Sequence, residues 1–127
     1  MGAPAIVLGD RITGLCPNHL AIGPLGAPMP SPPLPFAAPV TMGTVPTVLI
    51  AGKPAAVMGS SGVNVPPHVG LHPSDPFLAP PLQVGRVVAG SPTVMIGGQP
   101  AATAQSQCTC CLVPGSLVPS VATVLIG

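Results

Sequence analysis

Residues 47–60 read TVLIAGKPAAVMGS, and residues 93–106 read TVMIGGQPAATAQS. Aligned without a gap, the two stretches share Thr, Val, Ile, Gly, Pro, Ala, Ala and Ser at eight of fourteen positions. A third copy is divided between the chain ends. Gly2 to Asp10 reads GAPAIVLGD and matches GKPAAVMGS, while Thr123 to Gly127 reads TVLIG and matches the TVLI half. Each Thr-Val pair also follows a similar lead-in: Val45 and Pro46, Ser91 and Pro92, Val121 and Ala122. Self-similarity of this kind marks a repeat architecture. Three units, one of them completed by both termini, predict a ring with pseudo-threefold symmetry.

Each unit has a physical reading. Val, Ile and Thr suit a short pleated strand. Gly at Ala51-Gly52 and Gly97-Gly98 supplies the backbone freedom of a tight turn. The Pro-Ala-Ala segment that follows predicts a second short strand, whose small side chains let neighbouring backbones approach near a narrow axis. The links at 11–46 and 61–92 are long and Pro-rich, whereas 107–122 is short. Long links with little secondary structure are often functional, and here they hold every His and every Cys.

The composition sets the limits. Five residues of 127 are charged: Asp10, Arg11, Lys53, Asp75 and Arg86. Phe36 and Phe77 are the only aromatics apart from His, and 21 Pro with 16 Gly exceed a quarter of the chain. Disordered chains are polar and highly charged, whereas 47% of this one is hydrophobic, so it is expected to fold. Proline at this density removes backbone donors and excludes long helices. The expected fold class is all-β, with a small core that needs a staple. No stretch of about 20 clean apolar residues exists for a membrane helix. No basic segment precedes an apolar run at the start, so no secretory signal is expected and a cytoplasmic origin is the default.

Other chemistries find little purchase. There is no GxSxG nucleophile elbow and no phosphate-cradling Gly-rich loop with Lys-Ser/Thr. Three Lys/Arg residues without an aromatic platform cannot supply the electrostatic attraction of nucleic-acid binding. The chain is therefore not expected to be an enzyme or to bind nucleic acid.

GKPAAV and GQPAAT, the TVLI and TVMI strands before them, and the opening Pro-Ala…Gly-Asp resemble PAAR proteins, which are named for a Pro-Ala-Ala-Arg motif. The resemblance covers most of the chain as a single domain, 1–127, with the Pro-rich loops as insertions. The Arg of the motif is absent: Val57 and Thr103 stand in its place, and the first unit reads Pro-Ala-Ile-Val. Gly9-Asp10 keeps the Gly-Asp that often follows, which becomes Gly59-Ser60 and Gln105-Ser106 in the other units. The resemblance implies a conical three-repeat β fold carrying a zinc ion near its apex. It implies a tip for a trimeric VgrG-like spike of a type VI secretion or phage-tail-like contractile injection machine.

The metal-type residues are distributed in support of such a site. His19 lies in the first link, His68 and His72 in the second, and Cys108, Cys110 and Cys111 in the third. If the links converge, His19, His68, His72 and Cys108 make four N/S donors, the number a tetrahedral structural zinc takes. Cys110 could replace Cys108, and Cys16, in a C-x2-H pair with His19, could replace or join that histidine. Cys111 is expected to be buried or to face away. Asp75 follows His72 closely and is read either as an outer-sphere hydrogen-bond partner or as the start of a turn. A structural zinc contributes on the order of 10 kcal/mol of apparent binding energy, enough to fix loops around a small core.

The resulting expectation is a structural tip, one per trimer, which sharpens the spike for membrane puncture and is assembled in the cytoplasm before delivery outside the cell. The Pro-rich loops are read as a clasp on the spike, as an attachment site for effector cargo, or as stiff polyproline linkers. The alternative readings are a free-standing self-assembling structural protein and a small metal-binding chaperone.

Overall fold

The repeated stretches fold as two tight hairpins, and the chain ends build the third. The computed structural model describes residues 2–126 apart from Asn18, Pro66, Val69 and Leu112. Its strands are β1 (Ala3–Pro4), β2 (Arg11–Cys16), β3 (Leu20–Ile22), β4 (Pro28–Pro30), β5 (Leu34–Pro39), β6 (Val45–Ile50) and β7 (Lys53–Ala55). They continue with β8 (Ser61–Val63), β9 (Val84–Val87), β10 (Met95–Ile96), β11 (Gln99–Pro100), β12 (Cys108–Cys110), β13 (Val113–Val118) and β14 (Leu125–Ile126). The fold is all-β. Among the described residues the helical structure is limited to 3-10 turns at Pro24–Gly26 and Pro80–Leu82, and no helix is long and apolar enough to cross a membrane.

The three hairpins share one register. Ile50 faces Lys53 in β6–β7, Ile96 faces Gln99 in β10–β11, and Ile126 faces Ala3 in β14–β1. The first two turn through residues with positive φ, Ala51 and Gly52 in one and Gly97 and Gly98 in the other, as two-residue hairpin turns of the primed type require. The third has no turn, because the N- and C-terminal strands pair directly.

A ring of backbone hydrogen bonds closes the triangle. Ile6, Ala56 and Ala102 are equivalent residues of the three units. The Ile6 N–H donates to Ala102 (3.1 Å), Ala102 to Ala56 (3.0 Å) and Ala56 to Ile6 (2.9 Å). A parallel set joins Leu8 to Pro54, Met58 to Pro100 and Ala104 to Pro4, each at 2.9 Å. The alanines at the preceding position, Ala5, Ala55 and Ala101, are completely buried, so the Pro-Ala core of the repeat is selected by how closely the backbones meet.

Each unit then turns by the same device. Asp10 Oδ2 accepts from the Val7 N–H, Ser60 Oγ from Val57 and Ser106 Oγ from Thr103, all at 2.9 Å. The change from Asp to Ser along the repeats therefore preserves the bond, since a short side-chain oxygen three residues on suffices.

The links carry more structure than their composition suggests. Each supplies one strand pair to a single antiparallel sheet of order β5-β2-β13-β12-β9-β8. Its two edges approach each other where the Val65 N–H donates to Ala37 O (2.9 Å) and Ala37 N–H to Asn64 Oδ1 (3.0 Å). The Pro-rich strands β4 and β5 lie at sheet edges, where missing donors cost least. Three of the cysteines lie on these link strands: Cys16 ends β2, while Cys108 and Cys110 belong to β12. One apolar cluster gathers Ile50, Ile96 and Ile126 around the ring, and a second, including Ile12, Phe36, Val87 and the four cysteines, fills the six-stranded sheet.

Candidate metal centre

The three links meet at one buried cluster. Pro17, which cannot continue a hydrogen-bonded ladder, follows Cys16 at the end of β2, and His19 lies just beyond it. His68 stands in the segment after β8, and Cys111 in the turn between β12 and β13. Cys111 holds φ 48°, a left-handed conformation rare for a side chain of this kind. Such backbone outliers concentrate at functional sites.

Cys16, His19, His68 and Cys111 each offer one donor atom, and these four atoms lie within 4.8 Å of one another. Tetrahedral zinc spaces its S and N donors by roughly 3.3–3.8 Å, so a modest inward adjustment brings them to one ion. All four residues are buried. Nε2 of His19 and Nε2 of His68 are both buried without a hydrogen-bond partner among the described residues. A buried polar atom left unpaired is costly, and two beside two thiols are what a Cys2His2 metal site requires.

His19 is held from behind. Its Nδ1 stands 3.1 Å from Asp75 Oδ2, and the same carboxylate accepts the N–H groups of Leu20 and Phe77 at 2.7 Å each. Burial works to raise the Asp75 carboxyl, but the two backbone donors and His19 hold it below its ordinary range. An ionised carboxylate only accepts, so Nδ1 carries the ring proton and Nε2 keeps its lone pair. Phe77 packs edge-on against His19, with ring centroids 5.5 Å apart.

His68 is positioned by its backbone. Its N–H donates to Gln83 Oε1 (2.7 Å), which also accepts from Asn64 Nδ2 (3.2 Å), while Gln83 Nε2 donates to Phe77 O (3.0 Å). The fully buried Gln83 is thereby satisfied at both ends. The His68 ring lies against His19, with centroids 4.6 Å apart. Burial, and then the neighbouring His19, push its pKa down, which favours the neutral form that binds metals. The thiols are shifted the other way. Burial, with Cys111 next to it, pushes Cys16 up to about 12, and burial also raises Cys111.

Of the four residues expected from sequence, the structure brings His19 and His68 together and places His72 and Cys108 outside this cluster. Both ring nitrogens of His72 are engaged: Nε2 donates to Gly26 O (2.9 Å), and Nδ1 accepts from the Ser74 N–H (3.1 Å) with Ser74 Oγ 2.8 Å away. Cys108 is buried on β12. Asp75 Oδ1 accepts the Phe77 N–H in a turn, and its Oδ2 contacts His19 rather than the nearby His72. The C-x2-H spacing pointed to Cys16. Cys111, expected from sequence to be buried or to face away, is buried but brings its sulfur into the cluster.

No curated protein and no solved structure gives a significant match. A family model does: the one described as the PAAR motif matches residues 79–127, which hold the β10–β11 hairpin, its ring segment and β14, the strand that pairs with the N-terminus. The chain is thus similar to the PAAR motif over residues 79–127, and the same unit recurs at 47–60 and across the joined termini.

Proposed function

We propose that this protein is the structural tip of a contractile injection or secretion machine, seated on a trimeric VgrG-like β-helical spike with one tip per trimer. One observation carries the reading. Leu49, Met95 and Leu125 occupy the same position in the three hairpins, and each leaves a large apolar side chain similarly exposed, at 59%, 58% and 59%. Three equivalent apolar contacts on one monomer match a partner that presents three equivalent subunits. The carried family motif supports the same role.

In this reading a single structural zinc is held by Cys16, His19, His68 and Cys111. Four protein donors leave no open coordination position, and the nearby carboxylate is committed to His19; both features support a structural ion over a catalytic one. The ion would tie the three links together at the tip. Assembly would precede export of the whole particle, and the tip would meet the target membrane transiently.

The test is native mass spectrometry of the full chain with a trimeric VgrG-like spike. One tip per three spike chains is expected, and the triple variant Leu49→Asp, Met95→Asp, Leu125→Asp is expected to lose the complex while keeping its metal. Filaments formed without a partner, or a triple variant that binds like the parent, would refute the proposal.

A further inference from the structure

We propose that the hairpin of β3 and β4 is a lipid-contacting finger whose partner is the hydrocarbon of a bilayer. The inference takes its setting from the spike-tip reading, but it is tested on the isolated chain. Residues 20–30 read LAIGPLGAPMP, eleven residues without one polar side chain. No charged residue lies between Arg11 and Lys53. Leu25 at the turn is fully exposed, and Ile22 and Met29 flank it at 57% and 43% exposure. Leu25 also holds a left-handed φ of 59°, a conformation with a steric cost that a glycine would avoid.

The backbone of this hairpin separates lipid from other partners. Hydrocarbon offers nothing to an unpaired N–H or C=O, and each one costs several kcal/mol there. Pro24, Pro28 and Pro30 have no N–H to satisfy. The N–H groups of Gly23, Gly26 and Ala27 are bonded within the turn, to Ala27 O (2.7 Å), Gly23 O (3.1 Å) and Pro24 O (3.2 Å), which leaves the Leu25 N–H as the one turn donor without a partner among the described residues. Ala21 faces Met29 in the β3–β4 ladder. At the root, Leu20 donates to Asp75 and Ser31 to His19 O, while Gly26 O accepts from His72 Nε2. A protein interface ordinarily carries a polar rim with hydrogen bonds, and this hairpin has no side chain to make one. His72 and Asp75 moor it beside the metal cluster, so it is held in place before it meets a partner.

The chain has no Trp, so Met29→Trp is a clean reporter. Emission of this full-length variant should shift to the blue with neutral phosphatidylcholine vesicles at millimolar lipid, and brominated acyl chains should quench it. Adding Leu25→Asp should lower partitioning roughly 100-fold, whereas adding Val118→Asp, at an exposed apolar residue of β13, should leave it unchanged. Unshifted emission, equal effects of the two aspartates, or binding confined to anionic phosphatidylglycerol vesicles would overturn the inference. Spike binding is a separate measurement, so retained spike binding with no vesicle binding refutes the finger alone.

Discussion

Nδ1 of His19 stands 3.1 Å from Oδ2 of Asp75, and this contact leaves Nε2 of the ring as the atom free for a metal. The relationship joins two links separated by 56 residues in sequence. Asp75→Asn keeps the volume but removes the charge that fixes the tautomer. Zinc affinity, measured by competition with a chromophoric chelator, should fall by about 10- to 100-fold. Co(II) absorption should report altered coordination while the fold persists. An unchanged affinity would show that the carboxylate only shapes the turn.

The ligand set is separable by substitution. Cys16→Ala and Cys111→Ala should each lose zinc to the chelator. His72→Ala should keep it, because that ring is occupied by Gly26 and Ser74, and Cys108→Ala should keep it as well. Zinc content by elemental analysis decides the matter. Loss in His72→Ala with retention in Cys111→Ala would restore the set expected from sequence.

Zinc binding should strengthen steeply with pH. A metal displaces one proton from each ligating thiol. Burial pushes Cys16 up to about 12 and raises Cys111 above the ordinary 9.0, so both thiols remain protonated in the metal-free protein at neutral pH. The His68 pKa is lowered, so its proton competes only at more acid pH. Apparent affinity should therefore rise about 100-fold per pH unit between about pH 7 and 9. A tenfold slope would mean that a single thiol binds.

Gly14 exists to make room for a sulfur. A Cβ there would lie 2.7 Å from Cys110 Sγ and 3.4 Å from Gly115 Cα. Gly14→Ala should lower stability by about 1–3 kcal/mol, the usual cost of overpacking. Cys110→Ala in the same chain should recover most of this in a double-mutant cycle by denaturant unfolding. Cys110→Ala alone should keep its zinc. Strictly additive effects would place the strain elsewhere.

The triangular closure was legible in the sequence because each unit repeats the same local demands: β-branched residues for a strand, glycine for the turn, and alanine where backbones touch. Even the split third unit followed, since Ile126 and Ala3 needed only the register already set by Ile50 and Lys53. The all-β class followed from proline density. The identity of the donor atoms did not follow, because it depends on where three unlike links converge. His68 and His72 are equivalent as residue types, and only their partners differ: a buried Nε2 unpaired among the described residues in one and a carbonyl-bound Nε2 in the other. Cys108, Cys110 and Cys111 lie within four residues of sequence, and the left-handed turn at Cys111 brings its sulfur into the cluster. Repetition writes symmetry into a chain, whereas a site built from unrepeated loops is fixed only when long-range packing sets each side chain's direction.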